Sequence, residues 1–332
     1  MPKSNIAGLK DALKVHKSAT IIVHHNADPD ALGSAIALAR GLAQLGVSPE
    51  VHAPLGISAQ SKNILAKYPY PVLENAKIDF KELVFLVDTS TPEQIGKIEI
   101  PKSSLIAVID HHEPGAFWEK ADFRFLEKES HASAFVLYGL FKNLGVKITA
   151  EMAFFLLAGI VADTAFLRNV NAKDLKVTAE LLEIMGDDID RVYTALSLPE
   201  DISERIAKFK SFKRMSVYRI GDLIVAFSHA GSFESQTALA LIKSGADIAF
   251  VENIDEKKQE YRISGRMRVH LLGKIDLSKL MKVIEPLVGG SAGGHPTAAS
   301  ANGKNTKNSK KVQERLLTAL EKELGGKRKV IA

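Results

Sequence analysis

Three short apolar runs, each followed directly by Asp or His, constrain the fold of this chain most strongly. A continuous apolar run is typical of a strand covered on both faces, and strands that alternate with helices predict a parallel sheet. The runs are 20–23 before His24, 83–87 before Asp88, and 105–109 before Asp110. Because the carboxyl ends of parallel strands meet at one edge of a sheet, these polar side chains should gather there. The predicted fold class is α/β, with a Rossmann-like, doubly wound, mainly parallel sheet.

The segment 21–34, IIVHHNADPDALGS, carries the densest set of candidate ligands. His24 is followed by Asp28 and Asp30, and two carboxylates with a nearby histidine suit a divalent metal ion. The alternative is that one Asp only caps the following helix. A cap explains one Asp and leaves the other two residues unexplained. The chain has no cysteine, so any ion must be held by His, Asp or Glu, which favours manganese, magnesium or zinc.

The length of 332 residues predicts two domains, each with its own core. The charge-rich segment 186–214 is interpreted as a helical linker. Residues 1–185 then form a metal-binding catalytic domain, and residues 215–332 form a smaller α/β domain. In the smaller domain, the pattern predicts a hairpin that turns at residues 221–222 and a glycine-rich loop at 289–303. A basic helix is expected at the C-terminus.

The net charge of +5 lies in the last 32 residues, which hold nine Lys or Arg against three Glu. A general nucleic-acid-binding surface over the rest of the chain is therefore not expected. The N-terminus lacks the apolar core of a signal peptide, and no apolar run reaches the length of a membrane span. The expected location is the cytoplasm, with no membrane partner. The apolar helix at 152–160 fits either the core or a homodimer interface, with the core favoured.

Five motifs together resemble the DHH phosphoesterases, named for an Asp-His-His triplet, and among them the group with a C-terminal DHH-associated domain. This group includes RecJ-like exonucleases, nanoRNases and pAp phosphatases. The motifs are HHNADPDALGS (24–34), VDTS (87–90), IDHHEPG (109–115), VADTAF (161–166) and GGHPTAASANG (293–303). The resemblance covers nearly the whole chain. It implies an active site in the cleft between a metal domain and a smaller substrate-binding domain.

The resemblance also implies a centre of two divalent ions, with Mn²⁺ expected and Mg²⁺ as the alternative. His24, Asp28 and Asp88 would hold one ion. Asp30, Asp88, His111 and Asp163 would hold the other, so that Asp88 bridges the two. Taken alone, Asp163 at the end of an apolar helix reads as a helix cap, and only the resemblance makes it a ligand. His112 would face the scissile phosphate as a hydrogen-bond donor or as an acid, and Asp110 would orient the histidines.

The substrate-binding residues implied by the resemblance lie mostly in the second domain. Arg266 and His295 would contact a substrate phosphate, and Gly293 and Gly294 would let the backbone approach it. Arg168 would contribute from the first domain. The segment GGSAGGHP is two residues longer than the usual GGGGHP, which leaves the choice among substrates open, and Ala27 stands where proline is usual.

The predicted reaction is hydrolysis of short oligonucleotides to nucleoside monophosphates. The alternatives are removal of the 3′-phosphate of pAp, hydrolysis of cyclic dinucleotides, and exonucleolysis of long single strands. Aromatic residues make up 7% of the chain without an interleaved stacking platform, which argues against long strands. A non-catalytic nucleotide-binding protein would be expected to lack ligands, and none is missing. Manganese-dependent pyrophosphatases share the triplet, but their second domain lacks a GGHP loop.

Overall fold

The computed structural model describes residues 3–96, 98–127 and 129–331. It divides into two compact units, Met1–Leu198 and Pro199–Ala332. The division lies inside the segment 186–214 that the sequence analysis interprets as a linker. Two helices occupy that segment, one in each unit.

The first unit contains a six-stranded sheet with helices on both faces. Its strands are β1 (Ser18–Val23), β2 (Ser48–Ala53), β3 (Leu73–Glu74), β4 (Leu83–Val87), β5 (Leu105–Asp110) and β6 (Phe123–Leu126). Its helices are α1 (Lys3–Val15), α2 (Pro29–Gln44), α3 (Ala59–Lys67), α4 (Pro92–Ile95), α5 (Ala116–Lys120), α6 (Ser133–Leu144), α7 (Ala150–Asp163), α8 (Ala172–Met185) and α9 (Ile189–Leu196).

All strand pairs in this sheet are parallel, and the strand order is β3-β2-β1-β4-β5-β6. The predicted doubly wound parallel sheet is confirmed. The chain reverses its direction of travel across the sheet between β1 and β4, which are neighbours. In sheets of this kind, ligands bind outside the carboxyl ends of the strands at such a reversal. That position is where His24 follows β1 and Asp88 follows β4.

The larger core of the first unit lies between the sheet and helices α2, α6 and α7, and a smaller cluster that includes Ile22, Leu86 and Phe117 packs on the opposite face. Helix α7 is central, because nine of its first eleven residues, from Met152 to Ile160, are almost fully buried. This burial confirms the core interpretation of the apolar helix. In the described part of the chain, no helix is long and apolar enough to cross a membrane.

The second unit is built on a seven-stranded mixed sheet. Its strands are β7 (Ser216–Ile220), β8 (Leu223–His229), β9 (Ile248–Asp255), β10 (Glu260–Met267), β11 (Gly290–His295), β12 (Ala298–Gly303) and β13 (Arg328–Val330). Its helices are α10 (Ile202–Arg214), α11 (Glu234–Lys243), α12 (Leu277–Lys282), α13 (Glu285–Val288) and α14 (Ser309–Leu324). The strand order is β11-β12-β10-β9-β8-β7-β13, and among its described residues only β8 and β9 pair in parallel. The predicted hairpin is confirmed as β7 and β8.

The glycine-rich segment 289–303 is not a loop, and that prediction is wrong. It forms the antiparallel hairpin of β11 and β12, paired from Gly290 with Gly303 to His295 with Ala298. The glycines allow close backbone packing, since a Cβ on Gly290 would lie 1.9 Å from the carbonyl oxygen of Asn302. A composition typical of loops therefore serves an edge strand here.

Candidate metal centre and substrate pocket

The loop after β1 places His24 and Asp28 at the edge of the sheet. Asp28 caps α2, because its Oδ1 accepts hydrogen bonds from the N–H groups of Asp30 and Ala31, both at 3.0 Å. His24 Nδ1 lies 2.7 Å from the carbonyl oxygen of His25, so Nδ1 carries the proton of that hydrogen bond. His24 Nε2 then faces Asp28 Oδ1 at 3.8 Å and Asp88 Oδ2 at 3.3 Å.

Asp88 occupies the centre of the cluster and is 1% exposed. Its backbone has φ of +55°, a left-handed conformation that Asp adopts more readily than most residues. The loop that follows is held by Gln94, whose Oε1 accepts hydrogen bonds from the N–H groups of Ser90 and Thr91 at 3.0 Å. The carbonyl oxygen of Gln94 accepts from the N–H of His25 at 2.6 Å. One residue therefore ties the loop after β4 to the loop after β1.

Asp110, the last residue of β5, holds the two histidines that follow it. Its Oδ1 accepts hydrogen bonds from the N–H groups of His111 at 2.7 Å and His112 at 3.0 Å, and lies 2.9 Å from His112 Nδ1. His111 Nδ1 lies 3.4 Å from the carbonyl oxygen of Ser130. The orienting contacts expected of Asp110 are thus present, and His112 keeps Nε2 free of this contact while its side chain is 53% exposed.

Asp30 and Asp163 reach the cluster from helices α2 and α7, which pack closely at glycines. A Cβ on Gly159 would lie 2.4 Å from Asp30 Oδ1, and one on Gly33 would lie 2.3 Å from the carbonyl oxygen of Phe155. Asp163 Oδ2 lies 3.4 Å from His111 Nε2. The reading of Asp163 as a helix cap is wrong, because Thr164 is the C-cap. A carboxylate in the last turn is disfavoured by the helix dipole, so another interaction must hold it there.

Three sets of potential ligand atoms result, and within each set the atoms lie within 4.8 Å of one another. The sets are His24 with Asp28 and Asp88, Asp30 with His111 and Asp163, and Asp88 with His111 and His112. The structure therefore brings together all six residues that the sequence analysis assigns to two ions. His112 lies in the third set, so its position fits a ligand as well as a substrate contact.

The donor atoms fit divalent cations. In His24 and His111 a backbone carbonyl faces Nδ1, which leaves Nε2 directed at carboxylates, as in metal-binding histidines. His111 Nε2 is buried and has no hydrogen-bond partner among the described residues. In the described part of the chain, four of the five carboxylates of the cluster form ion pairs, all of them with histidines, and Asp30 forms none. Such an excess of buried negative charge calls for cations.

The pKa values of two histidines reflect the same excess of negative charge. Burial lowers the pKa of His24, but hydrogen bonds to Asp28 and Asp88 outweigh burial and raise the pKa to about 11. A hydrogen bond to Asp110 raises the pKa of His112 to about 9. Without metal ions, both rings are therefore doubly protonated and positively charged at neutral pH.

The pKa values of Asp30 and Asp163 are raised, whereas an ion pair with a cation would lower the pKa of a carboxyl group. Burial raises the pKa of Asp30 well above its usual range, and the negative charges of Asp88 and Asp163 raise it further. Burial also raises the pKa of Asp163, with further increases from Asp28 and Asp88. These carboxyl groups are repelled by one another, and a divalent ion between them would remove that repulsion.

In the second unit, a pocket of about 320 Å³ lies on one face of the sheet and contains three predicted substrate-binding residues, Arg266, Gly293 and Gly294. Arg266 Nη2 donates to Ser235 Oγ at 2.5 Å, and its buried Nε has no partner among the residues that the structure describes. Arg262 also lines the pocket, with Nη2 3.2 Å from Glu234 Oε1. Two guanidinium groups make this pocket suitable for an anion.

The remaining two predicted substrate contacts lie outside these sites. His295 is exposed at the end of β11 and does not line the pocket. Arg168 is exposed and follows a left-handed turn in which Ala165, Phe166 and Leu167 have φ between +50° and +62°. Left-handed backbone at three successive residues other than glycine is strained, and such strain is often found beside functional sites.

Sequence reasoning missed three residues that contact the two sites: Ser133, Gln94 and Arg262. Ser133 bonds to both Asp30 and Asp88. Its signal was weak, since a serine at a helix start reads as an ordinary cap. Arg262 had a clearer signal, because it alternates with Ser264 and Arg266 along one strand and so shares their face.

Comparison with known proteins agrees with the geometry. A model of the DHH family, N-terminal domain, matches residues 18–160, and a model of the DHHA1 domain matches residues 235–325. An uncharacterized protein from Methanocaldococcus jannaschii is 32% identical over 286 residues, which cover 85% of each chain. The chain belongs to the DHH family. It is a DHH-family phosphoesterase whose DHH match contains β1 to β6 and all the clustered residues except Asp163.

Other relatives match a smaller part. The manganese-dependent inorganic pyrophosphatase of Methanothrix thermoacetophila is 29% identical over 205 residues, which cover 58% of this chain and 64% of that enzyme. A probable manganese-dependent inorganic pyrophosphatase of Streptococcus mutans is 30% identical over 52% of this chain and 57% of its own. The chain therefore spans less than two thirds of these relatives. The solved structure of an exopolyphosphatase-related protein from Bacteroides fragilis covers 98% of this chain and 97% of its own with a TM-score of 0.60 and 16% identity, which shows a similar fold.

Proposed function

We propose that this DHH-family phosphoesterase hydrolyses phosphodiester bonds in short oligonucleotides and releases nucleoside monophosphates, with two divalent ions, Mn²⁺ in preference to Mg²⁺. The observation that carries the proposal is the acidic cluster at the switch point of the parallel sheet. Two of the three sets of ligand atoms share Asp88 and the third overlaps with one of them at His111, and the carboxylates of the cluster lack Lys or Arg partners among the described residues. A shared carboxylate is what two neighbouring cations require.

In this proposal His24, Asp28 and Asp88 hold one ion, while Asp30, Asp88, His111 and Asp163 hold the other. Such ions, when bound, supply a nucleophile from water at neutral pH and stabilise negative charge at phosphorus. The protein orients its ligands through contacts already present. The carbonyl oxygens of His25 and Ser130 direct Nε2 of the two histidines toward the carboxylates.

His112 is proposed to donate a hydrogen bond or a proton to the substrate. Asp110 lies at Nδ1 of this ring, so the exposed ring can present Nε2. In the metal-free protein the hydrogen bond to Asp110 raises the pKa of His112 to about 9, so this contact favours the protonated ring that the role of an acid requires.

The pocket of the second unit is proposed to bind the rest of the substrate. Arg266 has a buried Nε free to donate, and a guanidinium group pairs well with a phosphate. The pocket is lined by arginine, serine, asparagine, glutamate, glycine and aliphatic residues, with no aromatic residue among those described. This lining suits phosphate and sugar groups better than stacked bases, which favours short substrates over long single strands.

The test is a set of parallel Mn²⁺-dependent assays on a 5′-phosphorylated RNA dinucleotide, pAp, a cyclic dinucleotide, long single-stranded DNA and inorganic pyrophosphate. Wild-type protein and an Asp88→Ala control are compared on each substrate. The proposal expects the dinucleotide to be cleaved fastest and this cleavage to vanish in the variant. Faster cleavage of any other substrate would contradict the substrate assignment, and inert wild-type protein would contradict hydrolysis itself.

Inorganic pyrophosphate enters the assay as a second candidate because identity to manganese-dependent pyrophosphatases reaches about 30%. The observation against it is the DHHA1 match at residues 235–325, which contains the pocket residues Arg266, Gly293 and Gly294.

The cytoplasmic location and a homodimer stay predictions. That both units act on one substrate is part of the proposal.

A further inference from the structure

Ser133, the first residue of α6, hydrogen-bonds to two carboxylates of the cluster. Its N–H donates to Asp30 Oδ2 at 2.6 Å, and its Oγ donates to Asp88 Oδ1 at 2.8 Å. Ser133 and Asp30 are 0% exposed and Asp88 is 1% exposed, so water does not compete for these bonds. Hydrogen bonds to charged groups in such surroundings are strong and directional.

The two carboxylates belong to different ligand sets. Asp30 lies with His111 and Asp163, while Asp88 lies with His24 and Asp28. A hydrogen bond from Ser133 to one oxygen of Asp88 restricts rotation of that carboxylate and so determines which lone pairs remain for ions. Ser133 therefore contacts the ligands of both ions from a single rigid position at the start of a helix.

We propose that Ser133 is a positioning residue for the two-ion centre, whose hydroxyl group orients the shared carboxylate of Asp88. The proposal rests on the two-ion part of the proposed function and goes beyond it by assigning a role outside the ligand set. The backbone bond to Asp30 belongs to the fold, since any residue except proline would supply that N–H. Only the hydroxyl bond to Asp88 is specific to serine.

Because the two hydrogen bonds come from different groups of Ser133, a substitution can remove one bond and keep the other. Ser133→Ala keeps the N–H that bonds to Asp30 and removes only the hydroxyl that bonds to Asp88. Ser34→Ala is a matched control, because the Oγ of this second buried serine donates to Asp30 Oδ1 over a longer 3.4 Å, and the N–H groups of Ser133 and Ala134 hold that carboxylate without it. Ser133→Cys keeps nearly the same size with a weaker donor, and it serves if the alanine variant does not fold.

Mn²⁺ binding is measured on the full-length protein by electron paramagnetic resonance and by calorimetric titration. Loss of a group that orients a metal ligand lowers affinity roughly 10–100-fold, and we expect a loss of this size for at least one ion in Ser133→Ala. The magnetic coupling between two bound Mn²⁺ ions should also weaken. Ser34→Ala should retain wild-type affinity and coupling, and Ser133→Cys should fall between the two.

Unchanged affinity and coupling in folded Ser133→Ala, or in folded Ser133→Cys should the alanine variant fail to fold, would overturn the inference. Equal losses in Ser133→Ala and Ser34→Ala would also overturn it, because the bond to Asp88 would then matter no more than a long bond to a carboxylate that the backbone already holds. Wild-type protein that binds no Mn²⁺ would instead refute the proposed function. Melting curves recorded without metal confirm that each variant is folded before it is titrated.

Discussion

The two units each gather polar side chains, but in opposite surroundings. In the first unit they lie at strand ends and helix termini around buried central carboxylates, with Asp30 at 0% and Asp88 at 1% exposure. In the second unit they line one face of an open sheet, where the Arg262 side chain is 53% exposed. The difference is what the proposed function requires of each region. A resident cation requires desolvated ligands in a fixed geometry, whereas a substrate must exchange with water at every turnover.

The contrast extends to how each polar group is supported. Four of the five carboxylates in the first cluster accept a hydrogen bond from the backbone or from a neighbouring side chain at one oxygen at least, as Asp28 and Asp110 show. In the pocket, Arg266 has one side-chain partner and a free Nε. Backbone contacts therefore fix most carboxylates of the first region before any ion binds, whereas Arg266 in the second region is held through one nitrogen.

The strongest test of the contrast is Asp88→Asn, which removes the shared negative charge with little change in shape. Loss of one charge-stabilising group costs roughly 10²–10³-fold in kcat, so removal of a carboxylate shared by two ions should lower it by at least about 10³-fold. Mn²⁺ stoichiometry measured by calorimetry should fall as well. A variant that keeps both ions and its activity would show that Asp88 is not the shared ligand.

A smaller effect is expected from Arg266→Lys in the pocket. Hydrogen bonds to charged groups contribute about 1.5–3 kcal/mol, so kcat/KM should fall about 10–100-fold. Mn²⁺ affinity should not change, because the variant lies outside the metal cluster. Steady-state kinetics would measure the fall in kcat/KM, and calorimetry would measure Mn²⁺ affinity. A fall in Mn²⁺ affinity of similar size would contradict the proposed difference between the regions.

The pH dependence of metal binding provides a third test. Hydrogen bonds to Asp28 and Asp88 raise the pKa of His24 to about 11 in the metal-free protein, so an ion must displace a proton at neutral pH. Raising the pH removes the competing proton, and Mn²⁺ affinity should therefore rise about tenfold per pH unit between roughly pH 6 and 8 for each proton released. Calorimetry in two buffers with different ionisation enthalpies measures that release. No difference between the buffers would contradict the proton competition.

The smallest effects compare two neighbouring glycines of β11. Gly294 has φ of +140°, and a Cβ there would lie 2.5 Å from the carbonyl oxygen of Ala298, so Gly294→Ala should lose about 1–3 kcal/mol of unfolding free energy. Gly293 has no atom within 4 Å of an added Cβ, so Gly293→Ala should fold normally. The KM of this variant should rise only a few-fold, which corresponds to a loss of about 1 kcal/mol of binding free energy. Chemical denaturation and kinetics separate the two roles, and equal destabilisation would contradict this comparison.

Much of the first unit could be predicted because its signals are local. Apolar runs that end in Asp or His give both the buried strands and the edge at which their ligands meet, as at Asp88 and Asp110. The short edge strands were not predictable in this way. Strand β3 has two exposed residues, and β13 is held mainly by pairing with β7, so neither has an apolar pattern of its own.

The second unit shows where composition misleads. Glycine in segment 289–303 suggested a loop, but the glycines permit the close backbone approach of a hairpin. Ser133 was missed for a different reason. Its proposed role comes from the contact of its hydroxyl group with Asp88 across 45 positions of sequence, and no local pattern encodes such a contact.

The bond between Asp30 and the start of α6 has an evolutionary consequence. The carboxylate of Asp30 accepts from the N–H groups of Ser133 and Ala134, so its loss would leave two buried donors unpaired and destabilise the fold. A descendant that abandoned catalysis would still be selected to keep Asp30, while His111 and Asp163 would be free to drift. Among relatives, the survival of this aspartate alone would therefore be poor evidence of an active enzyme.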